Sequence, residues 1–127
     1  MRLLRLLVVL LALIEAGWMT FDGTRALVVG DYVTPRTGER AGQLGPWQFV
    51  ARSVGIEPRS TTMKTIFVVY GLAWLCIVVA FLLGATWAWL AMMIAAVGAL
   101  WYLPIGTLFS ILQIVALFWL RRAGAAP

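Results

Sequence analysis

Residues Thr65 to Leu120 read TIFVVYGLAWLCIVVAFLLGATWAWLAMMIAAVGALWYLPIGTLFSILQIVALFWL. Scattered Thr, Tyr, Ser and Gln aside, the run is apolar, and only Gly84-Ala85-Thr86 and Pro104-Ile105-Gly106 interrupt it. A water-soluble domain of 127 residues has no use for so much continuous hydrophobic chain. Lipid tolerates it, because a helix satisfies its own backbone groups where water cannot. The breaks divide the run into helix two over 61–83, helix three over 86–103 and helix four over 105–120. Ser60-Thr61-Thr62 is placed to cap helix two and Thr86 to cap helix three, and Arg121-Arg122 ends helix four.

Upstream, Met1-Arg2-Leu3-Leu4-Arg5 leads into the apolar stretch Leu6–Ile14 and then Glu15, Ala16, Gly17 and Trp18. A charged start before an apolar run also describes a secretory signal with Ala16 at its cleavage position. Ile14, where a small residue is wanted, favours a retained helix. Leu3–Ile14 alone covers about 18 Å of a core about 30 Å thick, so helix one must run over 3–21, which puts Glu15 inside the membrane. The expected fold is therefore all-α: an integral membrane four-helix bundle in a single membrane domain, with an ordered extramembrane loop over 22–60 that carries short interfacial helices.

Composition agrees. Hydrophobic residues make up 63% and charged ones 12%, against about 45–50% and about 25% in soluble domains. Mean hydropathy is +0.96 and the mass 14.0 kDa, enough for three or four spans and little else. The formal charge of +5 does not indicate nucleic acid, because the basic residues lie at segment ends and in one loop rather than in a stripe. Nine Arg against one Lys suits a GC-rich genome. No His and a single Cys, Cys76, argue against an imidazole or thiolate metal site and exclude an intrachain disulfide. No cofactor is implied. Trp18, Trp87, Trp89, Trp101, Tyr102 and Trp119 fall near helix ends, as interfacial belts do, and Trp74 lies deep.

In the loop, Asp22 reads as the N-cap of a short helix closed by Gly30. Tyr32-Val33-Thr34-Pro35 is extended, since the residue before proline avoids the helical region. Residues 37–42 are turn-rich. Pro46–Val54 reads as a second short helix whose apolar face, Trp47, Val50, Ala51 and Val54, lies on the bilayer surface. The alternative packs that face on the protein's own helices. Arg25, Arg52, Arg59 and Lys64 are candidate headgroup contacts. The loop's six basic residues (Arg36 and Arg40 with these four) oppose Arg2, Arg5, Arg121 and Arg122 at the other end. Charge count alone, six to four, favours the loop inside. The signal-like start favours the opposite, cytoplasmic termini in a bacterial cytoplasmic membrane.

Glu15 is the sharpest functional candidate, because a carboxylate within a span costs about 2.5–3.5 kcal/mol at the bilayer centre and so has a purpose. Counting at about 1.5 Å per residue puts it roughly 9 Å below the loop-side end of helix one. Tyr70, Ser110 and Gln113 approach that depth from helices two and four, so the four residues form one polar cluster. Thr107, Ser110 and Gln113 give helix four a polar stripe. Glu15 is then either a proton-linked or cation-binding group in a polar cavity, or a hydrogen-bonded lock between helices. Ala91, Ala95 and Ala99, and Ala80 with Gly84, make small-residue faces that suit internal packing or contact with another subunit. Asp22 and Asp31 are not spaced as a calcium loop. There is no phosphate-cradling glycine loop, nucleophile elbow or paired His, so no enzyme is expected.

Leu11-Ala12-Leu13-Ile14-Glu15-Ala16, a lone Glu in helix one of a four-helix chain of about this length, resembles the small multidrug resistance transporters. The resemblance implies that Glu15 is the shared proton and cationic-drug site of an antiparallel dimer. It covers about residues 3–18. The 43-residue stretch between helices one and two departs from that family's brief connection, and helix four lacks its glycine-rich pattern, so the likeness is one of parts. The sequence as a whole points to a non-catalytic accessory or structural subunit of a larger membrane assembly, with the lipid bilayer and a membrane-protein partner or second copy as partners. An oligomeric proton-coupled transporter using Glu15 is the alternative, and a lipid-binding protein the weaker one.

Overall fold

The computed structural model describes residues 2–34, 42–102 and 105–122. They form five helices and no strand: α1 (Arg2–Val29), α2 (Trp47–Ser53), α3 (Thr61–Leu82), α4 (Ala88–Gly98) and α5 (Ile105–Arg122). Helices α1, α3 and α5 are long and apolar enough to cross a membrane. α1 packs on α3 and α5, and α4 packs on the same two from the other side. Val8, Ala12, Met19, Phe67, Met92 and Leu117 are wholly buried between them, while Leu10, Val69, Leu72, Ile94 and Val115 point outward and are at least half exposed or nearly so. Apolar side chains inside and out are the mark of a membrane protein.

α1 does not stop at residue 21, the end expected for helix one; it continues unbroken for 28 residues, about 42 Å. Asp22 therefore caps no separate helix. Its carboxylate is engaged elsewhere, accepting the Val33 amide at 2.6 Å. Gly23, which resembles a helix breaker in sequence, is instead a close-contact residue: a Cβ there would stand 2.6 Å from Phe67 Cβ. Gly71 of α3 plays the reciprocal part, since a Cβ would strike Thr20 Oγ1 and lie 2.8 Å from Ala16 O. Two glycines facing across one seam let the backbones of α1 and α3 approach closely. The helix ends at Gly30, in the left-handed region at φ +110°, whose N–H donates to Ala26 O at 3.0 Å.

Ser60 caps α3 as its sequence suggests, accepting the Met63 amide at 3.2 Å. Thr86 does not cap α4. The chain turns through 85–88, and Trp87 takes the N-cap place without a side-chain cap. α4 is also shorter than expected, 11 residues or about 16 Å. Its end has a local cause. The Tyr70 hydroxyl takes the Ala95 carbonyl at 2.6 Å, and the Ala99 amide bonds Ala96 O instead. From there Leu100 and Tyr102 follow in tighter i→i+3 turns. Pro104, expected to punctuate before α5, lies outside the described residues, as do Pro35 and residues 37–41 of the turn-rich stretch.

The end of the molecule that carries the chain termini is tied by arginines. Arg5 donates to Phe81 O and lies 4.2 Å over the Phe81 ring, and Arg121 lies 4.5 Å over Trp89. Trp89 is thus buried, its indole N–H donating to Leu117 O at 2.8 Å, rather than belonging to an outer belt. Tyr102 is buried too, and Trp18, Trp87 and Trp119 are the exposed ones. Ala95 and Ala99 face inward, so the small-residue face of α4 is used within the chain.

The α1–α3 seam predicts an asymmetry between glycines. Gly71→Val must force the helices apart and is expected to cost about 1–3 kcal/mol of stability. Gly17→Ala, where a Cβ meets nothing within 4 Å, is expected to be neutral. Thermal unfolding of both variants in detergent micelles checks the difference.

Candidate functional site

Three of the four residues expected to cluster do so. Glu15 is 3% exposed on the inner face of α1. Ser110 Oγ lies 3.2 and 3.1 Å from its two carboxyl oxygens, and Gln113 Nε2 donates to Oε1 at 3.1 Å. Ser110 and Gln113 are fully buried and sit three apart on α5, so both reach the same carboxyl. Gln113 Oε1 is buried without a partner among the described residues. Tyr70 is the exception. Its depth is right, but its hydroxyl is committed to Ala95 O, so it joins α3 to α4 and not to Glu15.

Beside Glu15 lies a cavity of about 680 Å³, within the usual range for small-molecule sites. It is bounded by α1, the start of α5, Val33 and the start of α2. Trp18, Phe21, Trp47 and Tyr102 are among its lining residues, as are the two acidic residues of α1, Glu15 and Asp22. Asp22 is 4% exposed, and among the described residues only the Val33 amide donates to it. Ile14, Phe21 and Ile105 also line the space and are about half exposed or more, so it opens sideways between α1 and α5. Asp22 is the residue the sequence reading leaves out of its site. The signal is present, since 15 and 22 are seven apart and share a helix face, but it is lost once the helix is ended at residue 21.

The loop roofs this cavity. Trp47 of α2 packs with ring centroids 4.8 Å from Phe67 and 5.2 Å from Tyr32, and Tyr32 donates to Pro58 O at 2.8 Å. α2 therefore does not lie apolar face down on the bilayer. Trp47 and Ala51 are buried in the protein, Val50 is half-buried, and Val54 is exposed. An aromatic cluster of Tyr32, Phe67, Trp101 and Tyr102 offers Trp47 both apolar area and ring contacts, which outweigh a place among headgroups.

The expected headgroup cations are largely spent on the loop. Arg25 donates to Asp31 O and Tyr32 O at 2.9 and 3.0 Å, Lys64 donates to Gly30 O at 2.9 Å, and Arg59 pairs with Asp31 at 3.0 Å. Arg52 lies 3.9 Å from Glu57, both exposed, a contact that adds little. Burial alone would raise the Asp31 carboxyl. The hydrogen bonds from Arg59 and the Tyr32 amide, with the charges of Arg59 and Lys64, outweigh it and hold the group below the ordinary aspartate value. Burial, aided by the charges of Asp22 and Asp31, pushes the Tyr32 phenol up, so it stays a donor to Pro58.

Among known proteins, no family model, curated sequence or solved structure matches this chain. Among the described residues there is no group of three or more His, Cys, Asp or Glu placed to hold a metal ion.

The Glu15 bonds make a direct prediction. Glu15→Ala strands the Ser110 hydroxyl and Gln113 amide away from water and is expected to cost about 1–3 kcal/mol. Glu15→Gln keeps an acceptor and is expected to cost under about 1 kcal/mol, in the range measured for single hydrogen bonds within membranes. Unfolding of both variants in micelles at neutral pH measures the gap.

Proposed function

We propose that this chain is an integral protein of a bacterial cytoplasmic membrane that crosses it four times and works by binding a small molecule rather than by making or breaking bonds. α1, α3, α4 and α5 are the crossings in this reading, with the turns on either side of α4 completing the shortest. Arg2 and Arg5 ahead of the apolar run of α1, a signal-like start, favour placing the end that carries the termini in the cytoplasm, although the loop holds six basic residues against four at that end. The observation that carries the functional reading is the aromatic cavity with two buried carboxyls of α1 on its wall. A buried carboxyl in a span is costly, and two on one cavity imply a use beyond packing.

Glu15 has two roles in this account. Through Ser110 and Gln113 it locks α1 to α5, and through the cavity it meets the ligand. A carrier would add movement of that ligand across the membrane, with Glu15 as its ionisable site. A second reading, the accessory subunit of a larger assembly, draws on Phe49 and Val54, which α2 leaves 63% and 69% exposed. Lipid binding through loop arginines is the least supported, because Arg25 and Arg59 are committed to the loop.

Val33 supplies the test. It lines the cavity, its amide holds Asp22, and it is 41% exposed, so Val33→Phe enlarges the wall beside Asp22 while keeping the backbone bond. Wild-type protein purified from membranes is expected to retain a small molecule detectable by mass spectrometry of the released fraction, and Val33→Phe to fold but lose it. Identical small-molecule content in both, together with a larger subunit co-purifying at fixed stoichiometry, would overturn the binding reading in favour of the accessory one.

A further inference from the structure

Two carboxyls face one cavity from one helix, and their spacing restricts what fits between them. Residues 15 and 22 are separated by two helical turns, about 10.5 Å along the axis, and lie within about 20° of each other around it. A single ammonium cannot touch both. Between and opposite them the wall is aromatic and aliphatic, with Trp18, Phe21, Trp47 and Tyr102 contributing rings. The ligand therefore has a polar group at each end of an apolar, flat middle.

The chemistry of the ends follows from the acceptors. An ionised carboxylate only accepts hydrogen bonds, and a neutral carboxyl also donates one. A hydroxyl donates to the ionised form and can both donate to and accept from the neutral one, whereas an ammonium only donates and is held strongly by the ionised form alone. Two ammonium groups would also have to shed their water among apolar walls. In a benzene-1,4-diol the hydroxyl oxygens are about 5.5 Å apart, and a hydrogen bond of about 2.7 Å at each end brings the span to about 11 Å. That is close to the rise of about 10.5 Å between residues 15 and 22 along α1. The ring suits offset or edge contacts with the aromatic walls.

Capacity remains at both ends. Asp22 Oδ1 accepts the Val33 amide, and Oδ2 has no donor among the described residues. Glu15 has lone pairs beyond those used by Ser110 and Gln113. The volume of about 680 Å³ holds a ring with substituents and the beginning of a tail. The tail has a way out, because Ile14, Phe21 and Ile105 at the side opening are exposed on the outer faces of α1 and α5, where a tail meets lipid.

We propose that the cavity binds a membrane-dissolved benzene-1,4-diol, a quinol, with one hydroxyl on Glu15, the other on Asp22, and its tail leaving between α1 and α5 into the bilayer. This rests on the cavity being a binding site, and it names the class of molecule that site takes.

The probe is a decyl-substituted benzene-1,4-diol, kept reduced, titrated into the full chain in lipid nanodiscs and followed by tryptophan fluorescence. Its mono-methyl ether, with the same tail and one hydroxyl blocked, controls for partition into lipid. Saturable quenching by the diol is expected, weakened at least about tenfold for the ether. Asp22→Leu, close to aspartate in size but with no polar atom for the ligand, is expected to weaken the diol by a similar factor, and Asp22→Asn, whose amide pairs with a hydroxyl and keeps an oxygen for Val33, to restore most of the binding. Glu15→Met, with Glu15→Gln as its rescue, repeats the test at the other end. Equal binding of diol and ether, or of wild type and both apolar variants, would overturn the two-point assignment. Saturable binding of tetraphenylphosphonium or 1,4-diaminobutane without binding of the diol, abolished by Val33→Phe, would overturn the quinol and leave the cavity reading standing. Diol quenching unchanged by Val33→Phe would overturn both.

Discussion

A carboxyl placed among hydrocarbon must find its partners inside the protein, and Glu15 sets the arrangement of this chain through that requirement. Its partners are Ser110 and Gln113 of α5, almost a hundred residues away in sequence. Lipid offers no water to replace them, so α1 and α5 are held at one register and one rotation. The second seam of α1 is steric. Gly23 and Gly71 remove the side chains that would separate α1 from α3, and Thr20 turns its hydroxyl back onto Ala16 O at 2.8 Å rather than across the gap. α1 is thereby fixed on two sides by unlike means, and α4 closes the remaining side through Tyr70 and Trp89.

The same logic explains why the described parts of the loop, 30–34 and 42–60, lie close to the helices. Its backbone carbonyls at Gly30, Asp31, Tyr32, Gly42 and Pro58 each receive a side-chain donor. The cations that supply the first four of those bonds are the ones a charge count would assign to lipid headgroups. With Trp47 seated on Phe67 and Tyr32, the loop becomes the roof of a cavity instead of a collar on the membrane. The roof and the two carboxyls of α1 together produce a polar-ended, aromatic-walled space that opens toward the bilayer.

Much of this is legible in the residues. Hydropathy locates α3 and α5, Ser60 marks the start of α3, and Arg121-Arg122 marks the end of α5. Counting depth along helices is enough to bring Ser110 and Gln113 to Glu15. Depth says nothing about rotation, however, and so it also brings Tyr70, which in the structure faces α4. Asp22-Gly23 has the local pattern of a helix boundary, and only the presence of α3 explains why Gly23 continues a helix instead of breaking one. With that boundary misplaced, Asp22 falls into the loop and the second carboxyl of the cavity disappears from view. The face of α2 is read correctly as apolar, but sequence cannot say whether lipid or an aromatic cluster from three other segments covers it.

The account depends on the outer faces of α1, α3 and α5 meeting hydrocarbon, and the chain carries its own reporter for that. Cys76 is exposed on α3, about 22 Å along from its loop-side end. A nitroxide attached there in reconstituted vesicles can be probed by power-saturation electron paramagnetic resonance with oxygen and with a water-soluble nickel chelate. Strong relaxation by oxygen and almost none by the chelate is the predicted result. Ready access of the chelate to Cys76 in intact vesicles would contradict the account.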